Sequence, residues 1–170
     1  MKKVFFLAAL LVCSIAAQAQ RFALVDMEYI LKQIPAYEQA NQQMESLSKQ
    51  WQSEVEAKAQ EAKTMYDEYQ KNASNLSATQ KTAQENAIIA KEKEAADLRK
   101  KYFGPEGKGM KKRQELITPI QDAIYNAIKD IATQKNYDAV IDRASAQSMI
   151  FASPRIDISN EVLAKLGYSN

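Results

Sequence analysis

The feature that most constrains this chain is a long helical segment with very little apolar surface to bury. Residues 36–76 are rich in Gln, Glu, Lys and Ala and contain neither Gly nor Pro, a composition typical of helix. The apolar residues are spaced three or four positions apart, as in the seam of a coiled coil. They are Tyr37, Ala40, Met44, Leu47, Trp51, Val55, Ala59, Ala62, Tyr66, Tyr69, Ala73 and Leu76. A helix with so narrow a stripe needs a partner helix to cover it.

The partner helix is predicted to follow directly in the sequence. Ser77 and Gln80 have the spacing of a capping box, which starts a helix at Ser77. Because the connection is short, the two helices are expected to be antiparallel neighbours. The sequence therefore predicts a helical-hairpin arm over residues 37–116, with its tip near 73–78. The stripe expected on the return helix is Ala83, Ala87, Ala90, Glu94, Leu98 and Tyr102.

Short strands are predicted on both sides of the hairpin. RFALVD (21–26) has strand composition and is followed by a short helix that ends at Pro35. YDAVID (137–142) alternates like a second strand, and SMIFA (148–152) is predicted as a third. The fold class is therefore α+β, mainly α.

The region after the hairpin is more apolar. Leucine and isoleucine side chains between residues 116 and 131 form a broad helical face. Within it, residues 118–121 allow either a new capping box with Pro119 at the first helical position or a kink in one helix. A short amphipathic helix over 158–166 ends at Gly167. Residues 20–36 and 117–170 are predicted to form one discontinuous body, which is so small that oligomerisation would help to stabilise it.

The first residues have the pattern of an export signal. Lys2 and Lys3 precede the short apolar run 4–12, and Ala17-Gln18-Ala19 fits the small-x-small cleavage rule. We therefore predict a signal peptide over 1–19, cleaved after Ala19, and a periplasmic location.

The composition excludes several kinds of chemistry. The chain has no histidine, and its one cysteine, Cys13, lies in the predicted signal peptide. A thiol nucleophile, a histidine base and an ordinary zinc site are therefore absent from the mature chain. Removing Lys2 and Lys3 leaves 21 basic and 21 acidic residues, which provides no argument for nucleic-acid binding. The carboxylate pairs Asp26/Glu28 and Asp138/Asp142 are interpreted as caps at strand ends. We expect no enzyme, no cofactor and no metal site.

The order of these elements resembles the Skp/OmpH family of periplasmic outer-membrane-protein chaperones. The resemblance is carried by FALVDMEYIL, the long polar hairpin, YDAVID and the terminal DISNEVLAKLG. It implies a homotrimer whose arms enclose unfolded outer-membrane proteins without ATP. The family pattern also implies that an oligomer core is built by three strands of the body, with Phe22, Leu24, Val140, Ile141, Ile150 and Phe151.

Three of the four glycines lie together in FGPEGKG (103–109), inside the return helix. The spacing does not match a Walker phosphate loop. The alternation of three- and four-residue steps in the first helix is also lost from Leu47 to Ala59, in the part that is expected to lie opposite these glycines. We therefore interpret the break at 104–109 as a hinge, formed by Gly104, Pro105, Gly107 and Gly109. Counting equal distances from the tip along both helices places Trp51 near Tyr102 and Phe103, so these rings are expected to meet there and fill the gap. The alternative to a hinge is an irregular loop without motion.

Two candidate binding surfaces remain on the hairpin. Met65, Ile88 and Ile89 lie off the predicted seam and form a client-binding candidate, unless they only widen the hairpin core. The second surface is a basic cluster that could contact an anionic lipid surface or acidic client segments, although a solvated face has the same composition. Its members are Arg99, Lys100, Lys101, Lys108, Lys111, Lys112 and Arg113.

The sequence favours an ATP-independent holdase that prevents aggregation of unfolded outer-membrane proteins. The alternative is a structural coiled-coil adaptor of the cell envelope, which would dock one defined partner through the hairpin tip. Such adaptors usually carry extra β-rich domains beside the hairpin, and this chain of 170 residues has no room for them.

Overall fold

A computed structural model describes residues 20–146 and 148–168, so the predicted signal peptide lies outside the described residues. The chain is mainly helical, with a long helical hairpin and a small sheet, which confirms the predicted fold class. The elements are β1 (Phe22–Val25), α1 (Met27–Lys32), α2 (Pro35–Asn72), α3 (Ala78–Phe103), α4 (Lys108–Lys135), β2 (Ala139–Asp142) and α5 (Ser159–Lys165). Short 3₁₀ turns occur at Ala73–Asn75 and Pro154–Ile156.

The chain divides into two compact units. The hairpin unit consists of Pro35–Gln121, and the strand-containing unit consists of Met1–Ile34 with Asp122–Asn170, as far as those residues are described. The division falls within α4, which contributes residues to both units.

The hairpin unit is formed by α2 and α3, which pack along their length. With 38 residues, α2 is ~57 Å long at 1.5 Å per residue. The predicted capping box is confirmed: the Gln80 backbone N–H donates to the Ser77 hydroxyl, and the Gln80 side chain accepts from the Ser77 backbone. The buried residues of this helix pair are Ala40, Trp51, Val55 and Ala62 on α2, and Ile88, Ala95 and Tyr102 on α3.

The stripe predicted for the return helix was wrong toward the tip. Ala83, Ala87, Ala90 and Glu94 are exposed, and the buried positions are Ile88 and Ala95. Burying an isoleucine removes far more apolar surface from water than burying an alanine, so the helix turns Ile88 inward. Nearer the glycine cluster the prediction was right, since Leu98 is half-buried and Tyr102 is buried.

The region around Pro119 is one continuous helix. Pro119 lies inside α4, so the alternative of a new capping box at residues 118–121 is excluded. The isoleucines of the predicted aliphatic face supply much of its buried side, with Ile117, Ile124 and Ile131 all buried.

The strand-containing unit is built on two parallel strands. β1 pairs with β2 in the register Phe22↔Ala139 to Val25↔Asp142. On the other side of β1, Leu24 forms an isolated bridge with Asp157, and the Ile158 N–H donates to the Leu24 carbonyl at 2.9 Å. The core of this unit includes Ala23, Leu24, Val25, Ile30, Ile124, Val162 and Leu163.

The predicted third strand was wrong. Residues 148–152 have no regular secondary structure, and Ile150 is fully exposed while Phe151 is 82% exposed. Both sides of β1 are occupied, by β2 and by the Asp157 bridge, and the segment does not pair with the free edge of β2 either. Its apolar residues favour a strand but do not supply the partner that a strand needs.

Within the described residues, 20–146 and 148–168, no helix combines the length and the apolar character needed to cross a membrane.

Candidate functional site

The glycine turn, which we define as residues 104–107, joins α3 to α4 by close backbone contact. The Gly104 N–H donates to the Lys100 carbonyl at 2.9 Å, and the Gly107 N–H donates to the Gly104 carbonyl at 2.9 Å. A Cβ atom on Gly104 would overlap the Lys100 carbonyl oxygen, and one on Gly107 would lie 2.7 Å from the Tyr102 carbonyl oxygen. Neither position has room for a side chain, so the turn is compact rather than loose.

Three aromatic rings meet at this turn, as the sequence predicted. Trp51 stacks on Tyr102 with ring centroids 5.2 Å apart, and Phe103 meets both rings edge-on at 6.4 Å. Trp51, Val55 and Tyr102 form a buried cluster, against which Leu47 and Leu98 pack. The cluster fills the space that opens where the regular packing of α2 against α3 is interrupted.

Polar groups complete the cluster. The Tyr102 hydroxyl donates to the Glu54 carboxylate, and the Gln50 side-chain amide donates to the same carboxylate at 3.2 Å. The Lys108 ammonium lies 5.7 Å from the centroid of the Tyr102 ring. The hydrogen bond from Tyr102, assisted by the nearby lysine charges, lowers the pKa of Glu54. The same hydrogen bond raises the pKa of Tyr102, so this pair stays in its bonded form at neutral pH.

These contacts bear on the two alternatives left open for the glycine cluster. Replacing Gly104 or Gly107 with alanine would force the backbone apart rather than allow one continuous helix. The packing around Trp51 therefore favours the static alternative. A hinge at Gly104, Pro105, Gly107 and Gly109 remains a proposal that would require this packing to open.

The basic cluster borders an open cavity of about 630 Å³ beside the glycine turn. Four of its lysines line the cavity, and two carboxylates, Asp97 and Glu106, line it as well. Within the cluster, the Lys112 ammonium pairs with Glu115 at 2.7 Å. Asp97 lies just before the stretch that the sequence marked as basic, so the cavity is less uniformly positive than the sequence suggested. The four lysines are Lys100, Lys101, Lys108 and Lys111.

The three residues of the predicted client patch differ in exposure. Ile89 is 60% exposed and Met65 is half-buried, but Ile88 is only 6% exposed. The exposed patch was therefore wrong for Ile88, which packs between the helices because the return stripe is shifted. Tyr66, which the sequence assigned to the seam, is 48% exposed. Its seam neighbours Ala59 and Ala62 are too small to cover the ring. Their size is the feature of the sequence that could have indicated the exposure of Tyr66.

The predicted oligomer-core residues differ in their exposure to solvent. Leu24 is 3% exposed and belongs to the core of its own chain. Val140 is half-buried, and the remaining four present apolar surface to solvent. Those four are Phe22, Ile141, Ile150 and Phe151.

Three of the four carboxylates interpreted as caps at strand ends act as caps, whereas the fourth, Glu28, pairs with Lys32 instead. Asp26 caps α1 by accepting the Tyr29 N–H at 2.8 Å. Asp142 accepts the Met27 N–H at 3.2 Å, and Asp138 accepts the Arg21 N–H at 2.7 Å. Each of these three carboxylates thus satisfies backbone donors at the start or the end of an element.

Sequence reasoning missed Arg143, which ties the two halves of the strand-containing unit together. Its guanidinium lies 3.0 Å from Asp26 and 3.6 Å from Asp157. Asp157 in turn accepts from the buried Ser159 hydroxyl at 2.6 Å, and that hydroxyl accepts the Asp26 N–H at 2.8 Å. In the parts of the chain that the structure describes, no group of His, Cys, Asp and Glu residues is arranged to hold a metal ion.

We expect this network to make the strand-containing unit sensitive to acid. The Tyr29 N–H and the Arg143 guanidinium hold the pKa of Asp26 below its ordinary value of 3.8. A carboxyl with a lower pKa when folded stabilises the protein above its unfolded pKa, and this contribution disappears as pH falls through the folded pKa. Asp26→Asn should therefore lower the free energy of unfolding by about 1 kcal/mol at pH 7. It should also make the decrease of that free energy between about pH 5 and pH 3 less steep.

Thermal unfolding followed by circular dichroism across pH 3–7 measures this effect. Asp67→Asn, which removes an exposed ion pair with Lys63 in the hairpin unit, is the matched control and should keep the slope of the original chain. An Asp26→Asn variant with an unchanged slope would contradict the assigned role of Asp26.

Comparison with solved structures supports the same architecture. An outer membrane chaperone described as OmpH-like, from Caulobacter crescentus, superposes with a TM-score of 0.67. The match covers 89% of this chain and 86% of the other at 10% sequence identity. At that identity the likeness shows the fold alone.

Sequence comparison identifies the family. Proteins named "Chaperone protein Skp" are similar over most of their length: the one from Yersinia enterocolitica is 29% identical over 158 residues and 92% of each chain. The one from Photorhabdus laumondii is 28% identical, with 90% of each chain covered. The family model for OmpH-like outer membrane proteins matches residues 21–166, which include every strand and helix described above. The chain therefore belongs to the OmpH-like outer membrane protein family.

Proposed function

We propose that this protein is an ATP-independent periplasmic holdase that binds unfolded outer-membrane proteins and prevents their aggregation. Relatives that carry the name of a chaperone over about nine-tenths of both chains support a chaperone role. The leader-like residues 1–19 support export to the periplasm.

The observation that carries the holdase proposal is the exposed apolar surface of the hairpin unit. The large apolar side chains that stand out from it include two aromatic rings and a flexible methionine, which suit contact with many unrelated sequences. They are Tyr66 at 48%, Ile89 at 60%, Phe103 at 42% and Met110 at 48% exposed. A chain that captures unfolded proteins needs such surface, and binding by burial alone requires no nucleotide.

We also propose that the protein works as a homotrimer that encloses its client. The support is the apolar surface of the strand-containing unit, where Ile150 and Phe151 are almost fully exposed and Ile141 is 41% exposed. β2 has β1 on one side only, so its other edge offers unpaired backbone groups to a further strand. Pairing with a second copy would bury both features.

The basic cluster is proposed as a secondary contact for anionic lipid surfaces or acidic client segments. Its support is the lysine-lined cavity beside the glycine turn. Contact of this kind weakens steeply as salt is raised, whereas contact through apolar surface does not. Titrating client binding against salt therefore separates the two surfaces.

The test is suppression of aggregation of a denatured β-barrel outer-membrane protein, without nucleotide. Met65→Ser combined with Ile89→Ser should weaken client binding at least about tenfold, because burying even one apolar side chain of this size contributes about 1.5–3 kcal/mol. Ile88 is left unchanged, since it packs between the helices. Light scattering and a binding titration give the two readouts.

Tyr125→Ser is the matched control. Tyr125 is 65% exposed but lies in the strand-containing unit, so its loss should leave client affinity unchanged. Equal affinity of the double variant and the original chain would remove these residues from the client surface. A chain that suppresses no aggregation but binds one folded envelope protein would instead support the adaptor function.

A further inference from the structure

We propose that the glycine turn is a fixed joint of the hairpin unit, and that α2 and α3 bend and separate on its tip side, over residues 59–72 and 78–93. The inference goes beyond the holdase function, because it concerns where the hairpin itself is stiff and where it is compliant.

The backbone of the turn is closed at several points. Besides the two hydrogen bonds within the turn, the Lys111 N–H donates to the Gly107 carbonyl at 3.2 Å and starts α4 directly after it. A Cβ atom on Gly109 would lie 3.0 Å from the Tyr102 carbonyl oxygen and 3.5 Å from the Trp51 ring. The end of α3, the start of α4 and the Trp51 ring of α2 are therefore in direct contact, so the turn cannot open without breaking contacts between three helices.

The side chains at the joint are large and well packed. Trp51 is 9% exposed, Val55 is 8% exposed and Tyr102 is 7% exposed. Two parallel rings at 10° to each other, with Phe103 set edge-on, offer geometry that aromatic groups favour. The hydrogen bond from Tyr102 to Glu54 fixes the ring from its polar end.

The tip side has fewer buried side chains. Beyond Val55 the buried positions are Ala62 on α2 and Ile88 and Ala95 on α3, and the other alanines of α3 there are exposed. An open groove of about 340 Å³ lies beside Ala62 and Ala95, lined by Ala59, Tyr66 and Glu92 as well. A second open groove of about 200 Å³ is lined by Met65 and Ile88 among others. A larger one lies beside the glycine turn, so the difference between the two regions is in their buried side chains.

Local stability follows the density of buried apolar contacts. The joint has a tryptophan, a tyrosine and a valine buried in one cluster, whereas among residues 59–93 the buried side chains are Ala62 and Ile88. The helices are therefore expected to part first between the cluster and the tip. The glycines allow backbone segments to approach closely at the joint, and they do not make the joint flexible.

Peptide-level amide hydrogen exchange on the full chain tests the proposal. We expect the helical amides beside the cluster, in residues 49–56 and 98–103, to be protected roughly tenfold more than those of residues 59–72, a difference that corresponds to one modest packed cluster. Equal or faster exchange in 49–56 and 98–103 would overturn the fixed joint.

Two variants locate the cause of the difference. Tyr102→Phe keeps the stacked ring and removes the hydrogen bond to Glu54, so exchange at residues 98–103 should rise roughly threefold to tenfold. Tyr66→Phe, which removes a hydroxyl on the tip side, is its matched control and should leave 98–103 unchanged. If Tyr102→Phe also leaves 98–103 unchanged, the joint is not held by this residue and the proposal fails.

Ala59→Leu tests the compliant segment. Ala59 is exposed and lines the open groove of about 340 Å³ beside Ala62. A leucine there can cover part of this open groove, and exchange at residues 59–72 and 84–95 should slow roughly threefold, since partial burial contributes only a fraction of the about 1.5–3 kcal/mol of a fully buried leucine. Unchanged exchange in a variant with normal helicity would show that the open groove does not set the compliance.

Discussion

Leu24→Asp is expected to prevent folding of the strand-containing unit, whereas Phe151→Asp should leave that fold intact and abolish self-association. Leu24 is 3% exposed and lies in β1 between β2 and the Asp157 bridge. An unpaired carboxylate buried there costs several kcal/mol, comparable to the whole stability of about 5–15 kcal/mol of a typical domain. Phe151 is 82% exposed, so its replacement disturbs no packing within the chain.

Far-ultraviolet circular dichroism and sedimentation velocity separate the two outcomes. We expect Phe151→Asp to keep the helix content and thermal unfolding of the original chain, with sedimentation as a monomer at micromolar concentration. Tyr125→Asp changes another exposed ring of the same unit and should remain associated, as a control for added charge. A folded monomer of the unchanged chain under these conditions would refute trimeric assembly, and an associated Phe151→Asp variant would exclude Phe151 from the contact.

The parts of the fold that could be predicted are those that depend on local sequence. The thin seam of α2 requires a partner helix, and the capping box at Ser77 marks where that helix begins. The strands β1 and β2 carry their own apolar pattern. The meeting of Trp51 with Tyr102 and Phe103 followed from counting equal distances from the tip along both helices, because antiparallel helices have the same rise per residue.

The parts that could not be predicted depend on contacts between distant residues. Alanine fits either a buried or an exposed position, so an alanine-rich helix such as α3 does not specify which face turns inward. The stripe through Ala83 and Ala87 was therefore wrong, and with it the exposure of Ile88. Residues 149–152 are an apolar run such as a strand often has, but the run does not say which strand it would pair with.

The glycine turn shows a different limit. Glycine is favoured both where a chain must flex and where backbones approach too closely for a Cβ atom. Only the position of the Lys100 and Tyr102 carbonyl oxygens distinguishes these cases at Gly104 and Gly107. The same holds for Arg143, since no local pattern indicates that its guanidinium reaches both Asp26 and Asp157.

Trp51→Ala is expected to lower the free energy of unfolding of the hairpin unit by about 3–5 kcal/mol, the usual cost of removing a large buried aromatic side chain. The substitution deletes the ring that stacks on Tyr102 and lies against Gly109. Other groups in the cluster then lose their partner, and the space cannot close because the glycine turn is held by its backbone contacts. Trp51→Phe keeps a smaller ring in place and should cost less than half as much.

Urea unfolding followed by circular dichroism at 222 nm measures the change, because the substitution removes the fluorescent ring. Tyr66→Ala is the matched control: it deletes an aromatic ring from the same helix, but one that is 48% exposed, so the loss should stay below about 1 kcal/mol. If the two substitutions cost the same, stability is spread evenly along α2 and α3. The cluster at the glycine turn would then be no stiffer than the tip side. This equilibrium measurement, which is independent of hydrogen exchange, would contradict the fixed joint.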